Sequence, residues 1–245
     1  MDTRLGLMAG IDIPIPELQT VVHQPSIREI SYIGEEGFFI AVQFLCLDKK
    51  DFVKDESLLD SITNFQIFMA ALQNDQVKDT KNHIIDLFAL LFPKFKAIFT
   101  PQSLILNNIE DKQTIMIDEN TFSALQDALR SIFCLDTEFM GGGSAAFNPL
   151  GKKAEEIAEK LKRGRQRVAA QKGEAQGSVL GRYISILTVG LHSMSLNDCL
   201  DLTLYQLFDL VERYQLFTSW DIDIRARLAG GGSDEKPEDW MKNIH

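Results

Sequence analysis

A basic block set in an otherwise acidic chain constrains this sequence more than any other feature. Between Lys152 and Lys172 stand eight basic residues (Lys152, Lys153, Lys160, Lys162, Arg163, Arg165, Arg167 and Lys172) against three acids (Glu155, Glu156 and Glu159), a local net of +5. The 245-residue chain carries −10 in total, so the remainder carries −15. The block holds few large apolar residues (Leu150, Ile157, Leu161 and Val168), about one per turn or fewer. A helix over 150–171 therefore buries only a narrow stripe and leaves much of its surface to solvent or a partner. Gly164 weakens it by about 1 kcal/mol relative to Ala. Gly141-Gly142-Gly143-Ser144-Ala145-Ala146 precedes it and Gly173–Ser178 follows, both flexible by composition.

These boundaries divide the chain into an N-terminal α+β domain over 1–139, a flexible linker with the basic helix over 140–178, a C-terminal helical domain over 179–229 and a tail over 230–245. Within 1–139, Ile11, Ile13, Pro14, Ile15 and Pro16 favour an extended or irregular start over Asp2–Gln24. Ser26 with Glu29 three residues on forms a capping-box pattern that opens a short helix, and Gly34 suits its end. Apolar spacing predicts further helices over 35–47, 57–73 and 81–92, the last stopped by Pro93. Short runs at 95–100, 104–107 and 114–117, separated by turn-forming residues, predict a small β-hairpin or three-stranded meander. Asp118 then caps a helix through Phe133.

The C-terminal domain is expected as three helices: Val179–Leu191, a short one capped by Ser195, and a long one beginning at Thr203. In the long helix Leu204, Leu207, Phe208, Leu210, Val211, Tyr214, Phe217 and Trp220 supply a dense inner surface, with a bend expected near Thr218-Ser219. The fold class is thus mainly α (α+β): an N-terminal helical unit with a small sheet, a basic connector helix and a C-terminal helical bundle.

Few residues suggest chemistry. Cys46, Cys134 and Cys199 are far apart and never in a CxxC pair, which fits reduced, buried thiols rather than a disulfide frame or zinc site. No apolar run approaches 18 residues and 1–10 lacks a signal-peptide core, so neither a membrane span nor export is expected. His23, His83, His192 and His245 are scattered, and only His83 has a carboxylate (Asp86) at i,i+3. Asp221-x-Asp223 favours an ion pair with Arg225 over a metal site, because the two carboxylates diverge on a helix. The glycines of 141–143 do not make a phosphate loop, since Ala146 and Lys153 stand where that motif needs glycine and a hydroxyl. No catalytic residue, cofactor or metal is expected.

Two segments remain as candidate contacts. Lys160, Arg163, Arg165 and Arg167 make the connector either a solvated helix, an electrostatic arm for an acidic protein, or a phosphate-binding element without aromatics to stack bases. The net charge argues against a general duplex binder. Trp240, Met241 and Ile244, tethered by Gly230–Ser233, form an amphipathic end that docks either on its own fold or on a neighbouring subunit.

The run Val22-His23-Gln24-Pro25-Ser26-Ile27-Arg28-Glu29-Ile30, followed by Tyr32-Ile33-Gly34-Glu35-Glu36-Gly37-Phe38-Phe39, resembles a family encoded among the morphogenesis genes of tailed phages. The basic middle segment, Leu202–Phe208 and the terminal Glu238-Asp239-Trp240 extend that resemblance over most of the chain. It implies a non-enzymatic tail assembly chaperone in the host cytoplasm, one that coats the tape-measure protein until tail-tube subunits displace it. Coating a long partner demands many subunits, so a homo-oligomer is expected. The alternatives are a structural virion component, such as a baseplate or head–tail connector subunit, and a nucleic-acid-binding protein acting through the basic helix.

Overall fold

The computed structural model describes residues 3–49, 62–73, 78–100, 103–135, 177–231, 236–237 and 239–241. Its fold is mixed α+β, with helices predominating and two small antiparallel sheets. The expected extended start is corrected: α1 spans Thr3–Met8, and only then do β1 (Ile13–Ile15) and β2 (Thr20–Val22) pair around a 3-10 turn at Pro16–Leu18. Tertiary packing explains α1, whose Leu7 is buried and which packs on the last helix of the chain.

The capping box at Ser26 forms as expected, with Glu29 N–H donating to Ser26 Oγ and Ser26 N–H to the Glu29 carboxylate. It opens α2 (Ile27–Ile33), which ends at Gly34 with φ +85°. α3 covers Glu35–Leu45, α4 Asn64–Leu72 and α5 Lys78–Leu91. The earlier part of the helix expected over 57–73 falls largely outside the described residues; inside them, Thr63 and Gln66 form the cap. The meander expectation holds: β3 (Phe95–Phe99), β4 (Leu104–Asn108) and β5 (Thr114–Ile117) pair in sequence order. Alternation sends Leu104, Leu106, Ile115 and Ile117 inward. Asp118 caps α6 (Glu119–Ile132).

Buried Gln126 on α6 stitches this part together. Its Nε2 donates to the carbonyls of Leu45 (2.8 Å) and Leu47 (3.1 Å), and its Oε1 accepts from Asn64 Nδ2 (3.0 Å). Asn64 Oδ1 in turn accepts from Lys49 N–H at 2.8 Å. One side chain thus satisfies the chain leaving α3 and the start of α4.

Three helices follow: α7 (Val179–Gly190), α8 (Leu196–Leu200, capped by Ser195) and α9 (Leu204–Leu228, capped by Thr203). The helix expected over 150–171 lies outside the described residues. Several helix ends are satisfied across the divide between the two parts. Ile27 N–H, at the start of α2, donates to the Leu202 carbonyl (2.8 Å), where Ser26 bridges Thr203. Glu35 accepts from Val179 N–H (2.7 Å), Leu180 N–H (3.2 Å) and Ser178 Oγ, which caps α7 from another element. Gln206 Nε2 donates to the Met8 carbonyl (2.8 Å) at the end of α1. Residues from both parts accordingly enter one contiguous buried cluster, which includes Phe38, Phe133, Leu187 and Phe208.

Substituting Gln126→Leu should lower unfolding free energy by about 2–4 kcal/mol, because two buried carbonyls and the Asn64 amide lose their partner while volume is kept. Denaturant titration checks it, and a loss below about 1 kcal/mol would show that the network is not holding this junction.

Candidate partner-binding surface

α9 is 25 residues long, about 37 Å, whereas α7 beside it has 12 residues and spans about 18 Å. Tyr183 meets Phe208 (centroids 5.9 Å apart), and two turns on Gly190 meets Tyr214, so the two helices run in the same sense. A Cβ built on Gly190 would lie 2.4 Å from the Tyr214 ring, which makes this glycine the condition for the close approach. Beyond Tyr214, α7 has ended and α9 continues.

The expected inner surface of α9 holds through Tyr214 and fails at Phe217. Leu204, Leu207, Phe208 and Val211 are buried, and Leu210 and Tyr214 pack on the core. Phe217, counted as inner, is 43% exposed, and Leu228 is 84% exposed. The helix runs unbroken through Thr218-Ser219. The missed signal is in the spacing. Leu207, Leu210, Tyr214, Phe217, Asp221, Ile224 and Leu228 alternate at three and four residues, the seam of a heptad repeat rather than a stripe cut to one neighbour. Its first half is used inside the fold. In its second half Phe217 and Leu228 are exposed, while Asp221 and Ile224 are half-buried.

Trp240 docks beside that second half. Its ring lies 5.3 Å from Phe217 (78° between planes) and 6.3 Å from Trp220, while Phe217 and Trp220 stack at 6.0 Å. Arg213 Nη1 donates to the Trp240 carbonyl at 2.6 Å. Trp240 thus lies against its own chain. Met241 is 69% exposed. Lys160, Arg163, Arg165, Arg167 and Ile244 lie outside the described residues, so the structure brings none of them to this surface. Asp221 Oδ2 pairs with Arg225 Nε at 2.9 Å, the ion pair expected from the sequence.

A polar cluster that sequence spacing did not show lies at the other end of the fold. The β1–β2 hairpin brings Asp12 to His23, with Nδ1 2.9 Å from Asp12 Oδ1, and Glu29 approaches Nε2 at 3.4 Å. Both ring nitrogens are engaged by carboxylates, and the Ser26 hydroxyl itself donates to Glu29 Oε2 at 2.8 Å. The cluster therefore has no nitrogen left to take a proton from Ser26. Burial pushes the Glu29 carboxyl up, but the Ser26 N–H and hydroxyl bonds and the attraction of His23 outweigh it and hold it below the ordinary glutamate range. His83 is half-buried, its ring lying over Gly37. Among the described residues no group of three or more His, Cys, Asp and Glu side chains is placed to hold a metal ion, and no helix is long and apolar enough to cross a membrane.

Residues 171–245 match the model of the YomV second domain family, a phage- and prophage-type family. The matched region contains α7, α8, α9 and the Trp240 tail, so the surface described above lies within it. The similarity supports a phage-related protein. The chain shows no significant similarity to any curated protein or to any solved structure.

Two measurements test these contacts. Trp240→Ala should uncover Trp220, raising acrylamide quenching and red-shifting the remaining tryptophan emission, with a stability loss of about 1 kcal/mol; unchanged Trp220 quenching would contradict the docking. A depressed folded-state carboxyl contributes stability above its unfolded pKa and loses it as pH falls through the lower folded value. Midpoints of thermal unfolding should accordingly fall below about pH 4.3, the ordinary glutamate value. Glu29→Gln should flatten that acid limb.

Proposed function

We propose that this protein is a non-enzymatic, phage-related binding protein of virion morphogenesis, acting through helix–helix association on the outward half of α9. The observation that carries the reading is the heptad seam that continues from Phe217 to Leu228 past the end of α7, with Phe217 and Leu228 exposed, inside the region that matches the phage-type family. Leu228 is 84% exposed and Phe217, beside Trp240, keeps 43% of its surface open; fully covering a large apolar side chain is worth roughly 1.5–3 kcal/mol. A helical partner that lays its own apolar stripe along this seam gains that burial without rearranging the fold.

The resemblance seen in the sequence refines the reading to a tail assembly chaperone, with the tape-measure protein as its partner. A tape measure is long and helical, and coating it needs many copies of a binding protein with flexible joints. Glycines recur in the sequence at 141–143 and 230–232. The structural-subunit alternative differs in one respect: such a subunit stays in the particle.

Co-expression with the tape-measure protein should yield a soluble complex that co-purifies, and Phe217→Asp should reduce its recovery at least tenfold while the far-UV circular dichroism stays unchanged. The protein should be missing from purified virions. Stoichiometric amounts in finished particles would replace the chaperone reading with that of a baseplate or connector subunit.

A further inference from the structure

We infer that the Trp240 tail is an intramolecular strap that competes with the helical partner for the half of α9 beyond Tyr214, so that the partner binds only when the tail lifts. This inference rests on the reading of that half as a helix-binding surface and supplies its regulation. The strap begins at the end of α9. Gly230 N–H donates to the Arg227 carbonyl (3.0 Å) and Gly231 N–H to the Ala226 carbonyl (2.9 Å), with Gly230 left-handed at φ +82°. Those two bonds form a Schellman stop, which turns the chain out of the helix. By Trp240 the chain has come back to the middle of the helix it left, against Phe217 and Trp220, with the Trp240 carbonyl on Arg213. Arg213 lies fifteen residues before Leu228, about 22 Å along the axis. The eleven residues from Ala229 to Asp239 reach up to about 36 Å, so the return has slack.

The tail is held lightly. None of its described residues is buried: Pro237 and Trp240 are half-buried, and Met241 is 69% exposed. A segment that completed the core would bury its large apolar members. Trp240 instead covers part of the aromatic pair and leaves Phe217 43% exposed and Leu228 84% exposed.

A helix laid along the seam reaches Leu228 freely. To seat fully on Phe217 and Trp220 it needs ring surface that Trp240 already occupies. The indole and the incoming helix therefore exclude each other there. The partner's apparent affinity is then its intrinsic affinity reduced by the fraction of chains whose tail is lifted; a tail down in about nine chains of ten weakens binding about tenfold.

The test compares the full chain with two variants. Trp240→Ala removes the indole and leaves the seam intact. Gly230→Val puts a branched side chain at φ +82°, which strains the return, while a Cβ there meets nothing within 4 Å. Both should tighten binding of the tape-measure protein, Trp240→Ala by about tenfold. A second arm needs no partner. A labelled peptide of residues 236–245, titrated to about 1 mM, the order of a short tether's effective concentration, should bind the Trp240→Ala chain and bind the unaltered chain at least tenfold more weakly. Tape-measure binding that is the same with and without the indole overturns the inference. Binding weakened by Trp240→Ala also overturns it and makes the indole part of the partner's seat. A peptide that binds both chains alike, or neither, overturns it as well. If no chain binds the tape-measure protein but the peptide separates the two as expected, the strap stands and the tape-measure protein is wrong as the partner. Binding indifferent to both Phe217→Asp and Trp240→Ala removes the surface and the strap together.

Discussion

Two helix starts meet at Ser26 and Thr203, and the position of the C-terminal helices follows from that meeting. Each residue has already committed its hydroxyl to its own helix, Ser26 to Glu29 N–H and Thr203 to Gln206 N–H. What remains available is extended backbone, φ −71° and ψ 160° at Ser26, φ −72° and ψ 165° at Thr203, close to polyproline II and open to a partner across the gap. The first amide of α2 would be an orphan donor on its own helix, and the Leu202 carbonyl accepts from it. Glu35 does the same for the start of α7, and Gln206 for the end of α1. Charge pairs across this seam, such as Arg28 with Asp201 at 2.8 Å, are exposed and add little beside it. Helix ends that need partners thus dock the two parts of the chain, and the apolar cluster closes behind them.

That docking also decides which part of α9 is left outside. With its first turn fixed at Thr203 and α7 ending against Tyr214, the helix is covered for as long as α7 lasts. Nothing in the helix itself changes at Tyr214: the seam spacing continues through Leu228. A seam that outlasts its neighbour must either lose its apolar members or acquire a second neighbour. This one keeps Phe217, Ile224 and Leu228 and adds aromatic cover on one flank through Trp240.

The fold was legible wherever local chemistry is self-sufficient. The cap pair of Ser26 with Glu29, the helix start at Thr203 and the stop at Gly34 are short-range patterns whose consequences are local, and the structure shows each in place. The meander was visible because its three strands are sequential. α1 was missed because Thr3–Met8 is made helical by α9, some 200 residues away in sequence, and not by its own periodicity. The Asp12–His23–Glu29 cluster escaped for the same reason, since the β1–β2 pairing creates the contact. The Cys134 backbone, left-handed at φ +54° where a helix end would ordinarily carry glycine, has no local signature at all. Burial drives its thiol pKa up to about 12.

At the surface, the same periodicity that identified α9 also concealed its role. Apolar spacing tells that a helix has a face to bury, and it is silent on whether the covering element belongs to the same chain. The discriminating quantity is length: a 25-residue seam set beside a 12-residue neighbour cannot be satisfied by it. Once the excess is located, its polar residues become informative. Asp221 stands at the centre of the excess, half-buried and bonded to Arg225, so the one polar contact position carries its own counter-charge. A charge that brings its own counter-charge costs less to hold at such a position than an unpaired one. The acidic total of the chain argues against duplex nucleic acid and says nothing against such local pairing.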